Sequence, residues 1–148
     1  MQALKEKIKA HYHELLRQRI ASLQQQLDAI QESLGLETKS TAGDKYETAR
    51  AMLHMEQERM KGQMAALLAQ QAELHYTDPS GSAAGRGCLV VTDQCLFFIS
   101  TGLGRAVIDG HTVFALSPQS PLGRQLAGRR PGDHIVLKDR VCLIKALA

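Results

Sequence analysis

Apolar residues recur at helical spacing through the first half of the chain and at strand spacing through the second. Leu16, Ile20, Leu23, Leu27, Ile30 and Leu34 alternate steps of four and three residues, which is a heptad seam. Leu4, Ile8 and Tyr12 extend the seam toward the N-terminus with looser spacing. The pattern predicts one helix over residues 3–34, with Gly35 placed as a C-cap glycine. Leu36 to Gly43 is polar, carries Thr38, Ser40 and Thr41, and is predicted as a loop. Leu53, Met60, Leu67 and Leu74 then repeat every seven residues, with Met64 between them, and predict a second helix from about Asp44 to about Tyr76. Gly62 inside that helix costs about 1 kcal/mol relative to alanine, which a packed partner helix offsets. Two helices of ~30 residues, each about 45 Å long, joined by a short loop, fold as an antiparallel hairpin. Asp44 then stands at its distal tip.

The period changes after the second helix. Thr77 to Gly87 is rich in Gly, Ser and Ala and reads as a linker. Cys88–Val91, Leu96–Ile99, Thr112–Leu116, Ile135–Leu137 and Val141–Ile144 are short apolar runs of strand type. Asp93-Gln94 and Asp139-Arg140 mark tight turns between paired runs. One short helix fits from Pro121 to Ala127, with Ser120 as N-cap and Gly128 to end it. The expected fold is α+β. A coiled-coil hairpin spans 1–76 with its acidic tip at 36–48, a linker spans 77–87, and a small antiparallel β-sheet domain with one short helix spans 88–148. A domain of some 60 residues is near the lower limit for an independent core, so the hairpin base is expected to pack on it.

Composition narrows the function classes. Aromatics make up only 4% of the chain and Trp is absent, which fits extended helix better than a compact globule throughout. No apolar stretch reaches the roughly 20 residues of a membrane span, and the charged start is not that of a signal peptide. The three cysteines sit in apolar runs without metal spacing, which reads as a reducing, cytoplasmic setting. Residues 1–76 carry ten Lys/Arg and ten Asp/Glu, and the rest eight against five, so the net charge of +3 lies entirely in the second half. So small a surplus does not indicate nucleic acid by itself. His11 and His13 are two apart on a helix and face different ways, while His54 and His75 stand alone, so no histidine metal site is expected. No Ser/His/Asp constellation, phosphate-binding glycine loop or paired-cysteine site is present.

What remains is the tip. Gly43-Asp44-Lys45-Tyr46-Glu47-Thr48-Ala49 puts two carboxylates three residues apart, on one face at a helix start. Mg²⁺ takes oxygen ligands, keeps several waters and is often held by one or two carboxylates, so Asp44 and Glu47 suit a metal whose other ligands come from a partner. The plainer alternative is that acids in a first turn offset the helix dipole, at about 0.3–1 kcal/mol each. Lys39, Lys45 and Arg50 flank the pair and suit either RNA phosphates or ordinary solvated charge. Tyr46 suits either stacking on a base or stapling the loop.

Two motifs together give the chain a family likeness. The first is the tip run, which resembles G-D-x-x-E-N-A. The second is Ser120-Pro121-Leu122-Gly123-Arg124-Gln125-Leu126-Ala127-Gly128-Arg129-Arg130-Pro131-Gly132-Asp133, which resembles S-P-x-A/G-x-A/x-L-x-G-K/R-x-x-G-D. In this order, joined to a coiled-coil arm, they resemble the bacterial Gre transcript cleavage factors, GreA and GreB. The resemblance covers nearly the whole chain except about residues 78–110. It implies an FKBP-like C-terminal domain that docks on RNA polymerase at the mouth of its secondary channel, and an arm that enters the channel. It implies that Asp44 and Glu47 act as the catalytic tip acids, sharing Mg²⁺ with the polymerase's own carboxylates at the 3′ end of nascent RNA, so that the polymerase hydrolyses backtracked transcript. On this reading the chain is no enzyme itself and has no intrinsic cofactor. It needs no membrane and acts as a monomer. Gln119, Ser120, Pro121, Arg124 and Arg129 become polymerase-docking residues, with Arg130 beside them. The chain departs from the family at Thr48, where the motif has Asn, at Gln119, often acidic in the family, and in loops expected to be trimmed around Gly102 to Gly110. A non-cleaving ligand of the same channel and a coiled-coil adaptor unrelated to transcription are the competing readings.

Overall fold

A computed structural model describes residues 1–37, 43–76 and 82–148, without the side chains of residues 37 and 43–46. Two helices, α1 (Gln2–Glu37) and α2 (Gly43–His75), precede six strands and a third, short helix. The chain divides into two compact units, Leu15–Ala69 on one side of the division and Met1–Glu14 with Gln70–Ala148 on the other.

Within Leu15–Ala69 the heptad seam forms as its spacing predicts. Leu23, Ile30, Leu34 and Met60 are buried, and Leu27, Leu53, Met64 and Leu67 pack against them. Gln57 Nε2 donates to Gln31 Oε1 at 3.0 Å, which fixes the antiparallel register. Gly35 does not end α1, contrary to expectation: the helix runs on to Glu37. The extra turn keeps Leu34 in helical register on the seam, where it is 4% exposed. Burying a leucine stabilises by about 1.5–3 kcal/mol, which outweighs the ~1 kcal/mol that glycine costs inside a helix.

The other unit is built on a six-stranded sheet in the order β3-β4-β2-β1-β6-β5. Its strands are β1 (Leu89–Thr92), β2 (Leu96–Ile99), β3 (Gly104–Ile108), β4 (His111–Leu116), β5 (His134–Leu137) and β6 (Arg140–Leu147), with α3 (Pro121–Leu126) between β4 and β5. The sheet is mixed and not purely antiparallel, because β2 pairs in parallel with β4, Leu96 opposite Val113 through Ile99 opposite Leu116. The cause is β3, which occupies the stretch expected to be a trimmed loop. The chain leaves β2, runs out to the sheet edge as β3, and returns through a hairpin that inserts β4 between them. Asp109 and Gly110, at φ 50° and 77°, make that turn, the left-handed pair a two-residue hairpin requires. The β5–β6 turn falls one residue earlier than expected, at Lys138-Asp139, with φ 41° and 69°.

Both sheet faces are covered, which is why all four residues of β2 are buried. Val90, Phe97, Ile99, Leu116, Cys142 and Ile144 point to the side of Leu126 and form one core with Ala84 and Ile135. Leu89, Leu96, Phe98, Val113 and Ala115 are buried on the opposite face, and so are Ile8, Tyr12 and Leu74 from the helix ends. The hairpin base does pack on the sheet domain. The Tyr12 hydroxyl donates to Gly104 O at 2.9 Å, and Lys7 Nζ lies 2.7 Å from Asp109 Oδ2. Residues 84–87 lie along the sheet unit: Ala84 N donates to Arg129 O at 2.7 Å and Gly87 N to Ile99 O at 2.6 Å. Arg86 holds both carboxylate oxygens of Glu73 at 2.8 Å and stacks over the Tyr76 ring at 4.0 Å.

Candidate functional site

The tip residues stand at the start of α2, whose backbone is helical from Gly43. Lys39 and the side chains of Asp44, Lys45 and Tyr46 lie outside the described residues. Asp44 and Glu47 are the second and fifth residues of the helix. Glu47 is exposed.

Arg50 is engaged in a way the sequence did not suggest. Its Nη1 donates to Leu34 O at 3.1 Å, in the last turns of α1. Arg50 thus caps one helix from the other. Arg50→Ala is expected to cost about 1 kcal/mol and to speed amide exchange in the last turn of α1, with exchange in the sheet unchanged. Hydrogen exchange read by mass spectrometry or NMR checks this.

The second motif belongs to the other unit. Ser120 is the N-cap of α3: its Oγ accepts from Gly123 N at 3.0 Å and donates to Ser117 O at 2.7 Å. Pro121 occupies the first turn, where its missing N–H has no helical partner to lose. Ser117 Oγ donates to Gln119 Oε1 at 2.6 Å, so Gln119 is turned back onto its own loop. Arg124, Arg129 and Arg130 are all exposed around the end of α3. Arg129 Nε reaches Gln125 O at 3.2 Å and Arg130 N reaches Asp133 Oδ2 at 2.9 Å. The structure therefore brings Pro121 and Arg124 together on one short helix, with Gln119 and Ser120 just before it and Arg129 just beyond it.

Two features escaped the sequence reading. One is a half-open cavity of about 640 Å³ beside α3, lined by Cys95, Phe97, Phe114, Leu122 and Leu137, with Lys138 and Arg140 among its polar residues. The Phe97 and Phe114 rings stack at 5.8 Å. Burial pushes the thiols of Cys95 and Cys142 up, so both stay protonated at neutral pH and make poor nucleophiles. The other is a histidine pair: His75 is not isolated but meets His13, with ring centroids 4.4 Å apart. A sequence scan within one helix could not find it, because the partners lie on different helices.

No protein-family model matches the sequence, and no curated protein matches it. Among solved structures, the chain is similar to GreA factor homolog 1 (Gfh1) of Thermus thermophilus, at 19% identity over 92% of this chain and 94% of that one, with a TM-score of 0.38. It is also similar to Gfh1 of Thermus aquaticus, at 17% identity over 90% and 92% of the two chains, with a TM-score of 0.35. Among the described residues, no helix is long and apolar enough to cross a membrane.

Proposed function

We propose that this chain is a transcription elongation factor of the Gre type. It binds RNA polymerase through the α3 segment, places the α1–α2 tip in the secondary channel and stimulates cleavage of backtracked RNA. The observation that carries this is the placement of Asp44 and Glu47 in the opening turns of α2. From Leu15 to Glu37, α1 alone rises about 35 Å, long enough to take two acids into a deep channel. Two carboxylates with water are the right donors for Mg²⁺ but too few to hold it tightly, so the site is completed by the polymerase. A jointly held Mg²⁺ would supply Lewis-acid activation of the attacking water. Exposed Arg124, Arg129 and Arg130 support docking on an acidic surface of the partner. The place of action is the cytoplasm, with the factor working as a monomer.

A second reading, a non-cleaving occupant of the same channel, is favoured by two observations. Thr48 replaces the amide of the tip motif, and Arg50 is committed to Leu34 O and not free for RNA. One assay separates the readings. The protein is added to a backtracked polymerase complex with Mg²⁺, and release of 3′ RNA fragments is followed. Stimulated release that disappears in Asp44→Ala/Glu47→Ala, with polymerase binding retained, is the expected result. Binding without release favours the occupant. Absence of binding sinks both.

A further inference from the structure

We propose that His13 and His75 form a two-imidazole binding site for a borderline divalent transition metal such as Zn²⁺, Ni²⁺ or Cu²⁺, with water in the remaining positions. The two side chains come from different helices, α1 and α2, within the same compact unit. Their ring centroids are 4.4 Å apart and the planes are tilted by 54°. With metal–nitrogen bonds of about 2.1 Å, two imidazoles placed cis on one ion have ring centres about 4.5–5 Å apart. The separation of the ring centres is thus close to that of two imidazoles on one ion, which the side chains reach by turning one nitrogen each toward it. His13 is partly buried and held in mid-helix, while His75 is exposed in the last turn of α2, so one ligand is anchored and the other is open to solvent.

The electrostatics select the kind of ion. Desolvation, then the charges of His75 and Lys9, lower the His13 pKa from 6.5, so its ring is neutral at pH 7 and a ring nitrogen is free to donate. Metals that favour imidazole suit such a pair, whereas Mg²⁺ and Ca²⁺ need oxygen ligands. Among the described residues, no group of three or more His, Cys, Asp or Glu side chains could hold a metal. Two protein ligands make an open site, which a partner's side chain can complete.

The experiment uses untagged, chelator-treated full-length protein at pH 7.5, titrated with Zn²⁺ or Ni²⁺ while the melting temperature and histidine NMR resonances are followed. The expected result is a melting temperature that rises with metal and shifted His13 and His75 resonances, with no effect from equal Mg²⁺. The apparent dissociation constant should rise as the pH falls, because a protonated imidazole cannot ligate a metal. His75→Ala, at an exposed helix end, should remove the effect, and His54→Ala should keep it. A metal shift that persists in His75→Ala, or no shift in the wild type, overturns the site. His13→Gln is the second arm, and metal-free circular dichroism of each variant separates lost binding from lost folding.

Discussion

Tyr12→Ala lowers stability by about 3–5 kcal/mol, the usual cost of emptying a buried aromatic site. The tyrosine is completely buried, and its hydroxyl donates to Gly104 O at 2.9 Å, with Val113 O at 3.4 Å. It lies between the base of α1 and the β3–β4 hairpin, so truncation opens a cavity and strips a strand carbonyl of its partner. Tyr12→Phe keeps the ring and should cost only about 1 kcal/mol, which isolates the hydrogen bond. Urea denaturation of the three proteins with an unchanged m-value is the measurement. A loss below about 1 kcal/mol for Tyr12→Ala would show that the helix base is not held by this residue. The pH dependence has a definite sign. Burial pushes the phenol pKa above its ordinary value of 10.0, so the unfolded chain loses the proton first. The contribution of Tyr12 is therefore present below pH 10 and is lost as pH rises through the folded-state value. Tyr12→Phe should flatten that alkaline fall.

How much of this was legible in the sequence differs by element. The seam of α1 and α2 was legible because apolar residues at heptad spacing have few other uses, and the buried set of Leu23, Ile30, Leu34 and Met60 follows from it. The start of α3 was legible for a local reason too: a serine, a proline at the first turn and a later glycine are each favoured there by backbone geometry. β3 was missed because its side chains give little alternation, with Gly104 and Ala106 small and Arg105 and Val107 exposed. Its signal in the sequence is Asp109-Gly110, a two-residue hairpin pair inside the stretch expected to be a trimmed loop. The parallel pairing of β2 with β4 was not legible at all. Apolar runs encode strands, but which strands become neighbours is decided by where the connections lead.

The candidate sites divide in the same way. Asp44 and Glu47 are recognisable from residue type and spacing along one helix. The pairing of His13 with His75 depends on the register between two helices, which no pattern within either helix reveals. Arg50 shows the reverse case. Its type and position suit RNA, yet the Leu34 carbonyl of α1 takes it.

Gly123→Ala is expected to cost about 3 kcal/mol, at the upper end for overpacking, even though the motif it belongs to has alanine or glycine there. A methyl group at Gly123 would lie 2.1 Å from Ser117 O and 3.0 Å from the Pro118 backbone. These neighbours are main chain, and rotating a side chain cannot relieve the clash. Nor can Ser117 O withdraw cheaply, since it accepts from the Ser120 backbone N–H at 3.1 Å and from Ser120 Oγ at 2.7 Å. Either the Ser117–Pro118 turn moves and the N-cap of α3 is lost, or α3 lifts and Leu126 leaves a core in which it is fully buried. Both routes disturb the helix that carries Arg124. Urea denaturation gives the size of the loss, and hydrogen exchange tells the routes apart. Faster exchange confined to residues 120–128 marks a displaced α3, whereas loss across β5 and β6 marks a disrupted core. Under the proposed function the displaced helix also weakens polymerase binding while leaving Asp44 and Glu47 untouched, so reduced cleavage should recover as the protein concentration is raised. A variant of wild-type stability would mean that Ser117 and Pro118 are not held against Gly123, and the rigid docking helix would fall with them.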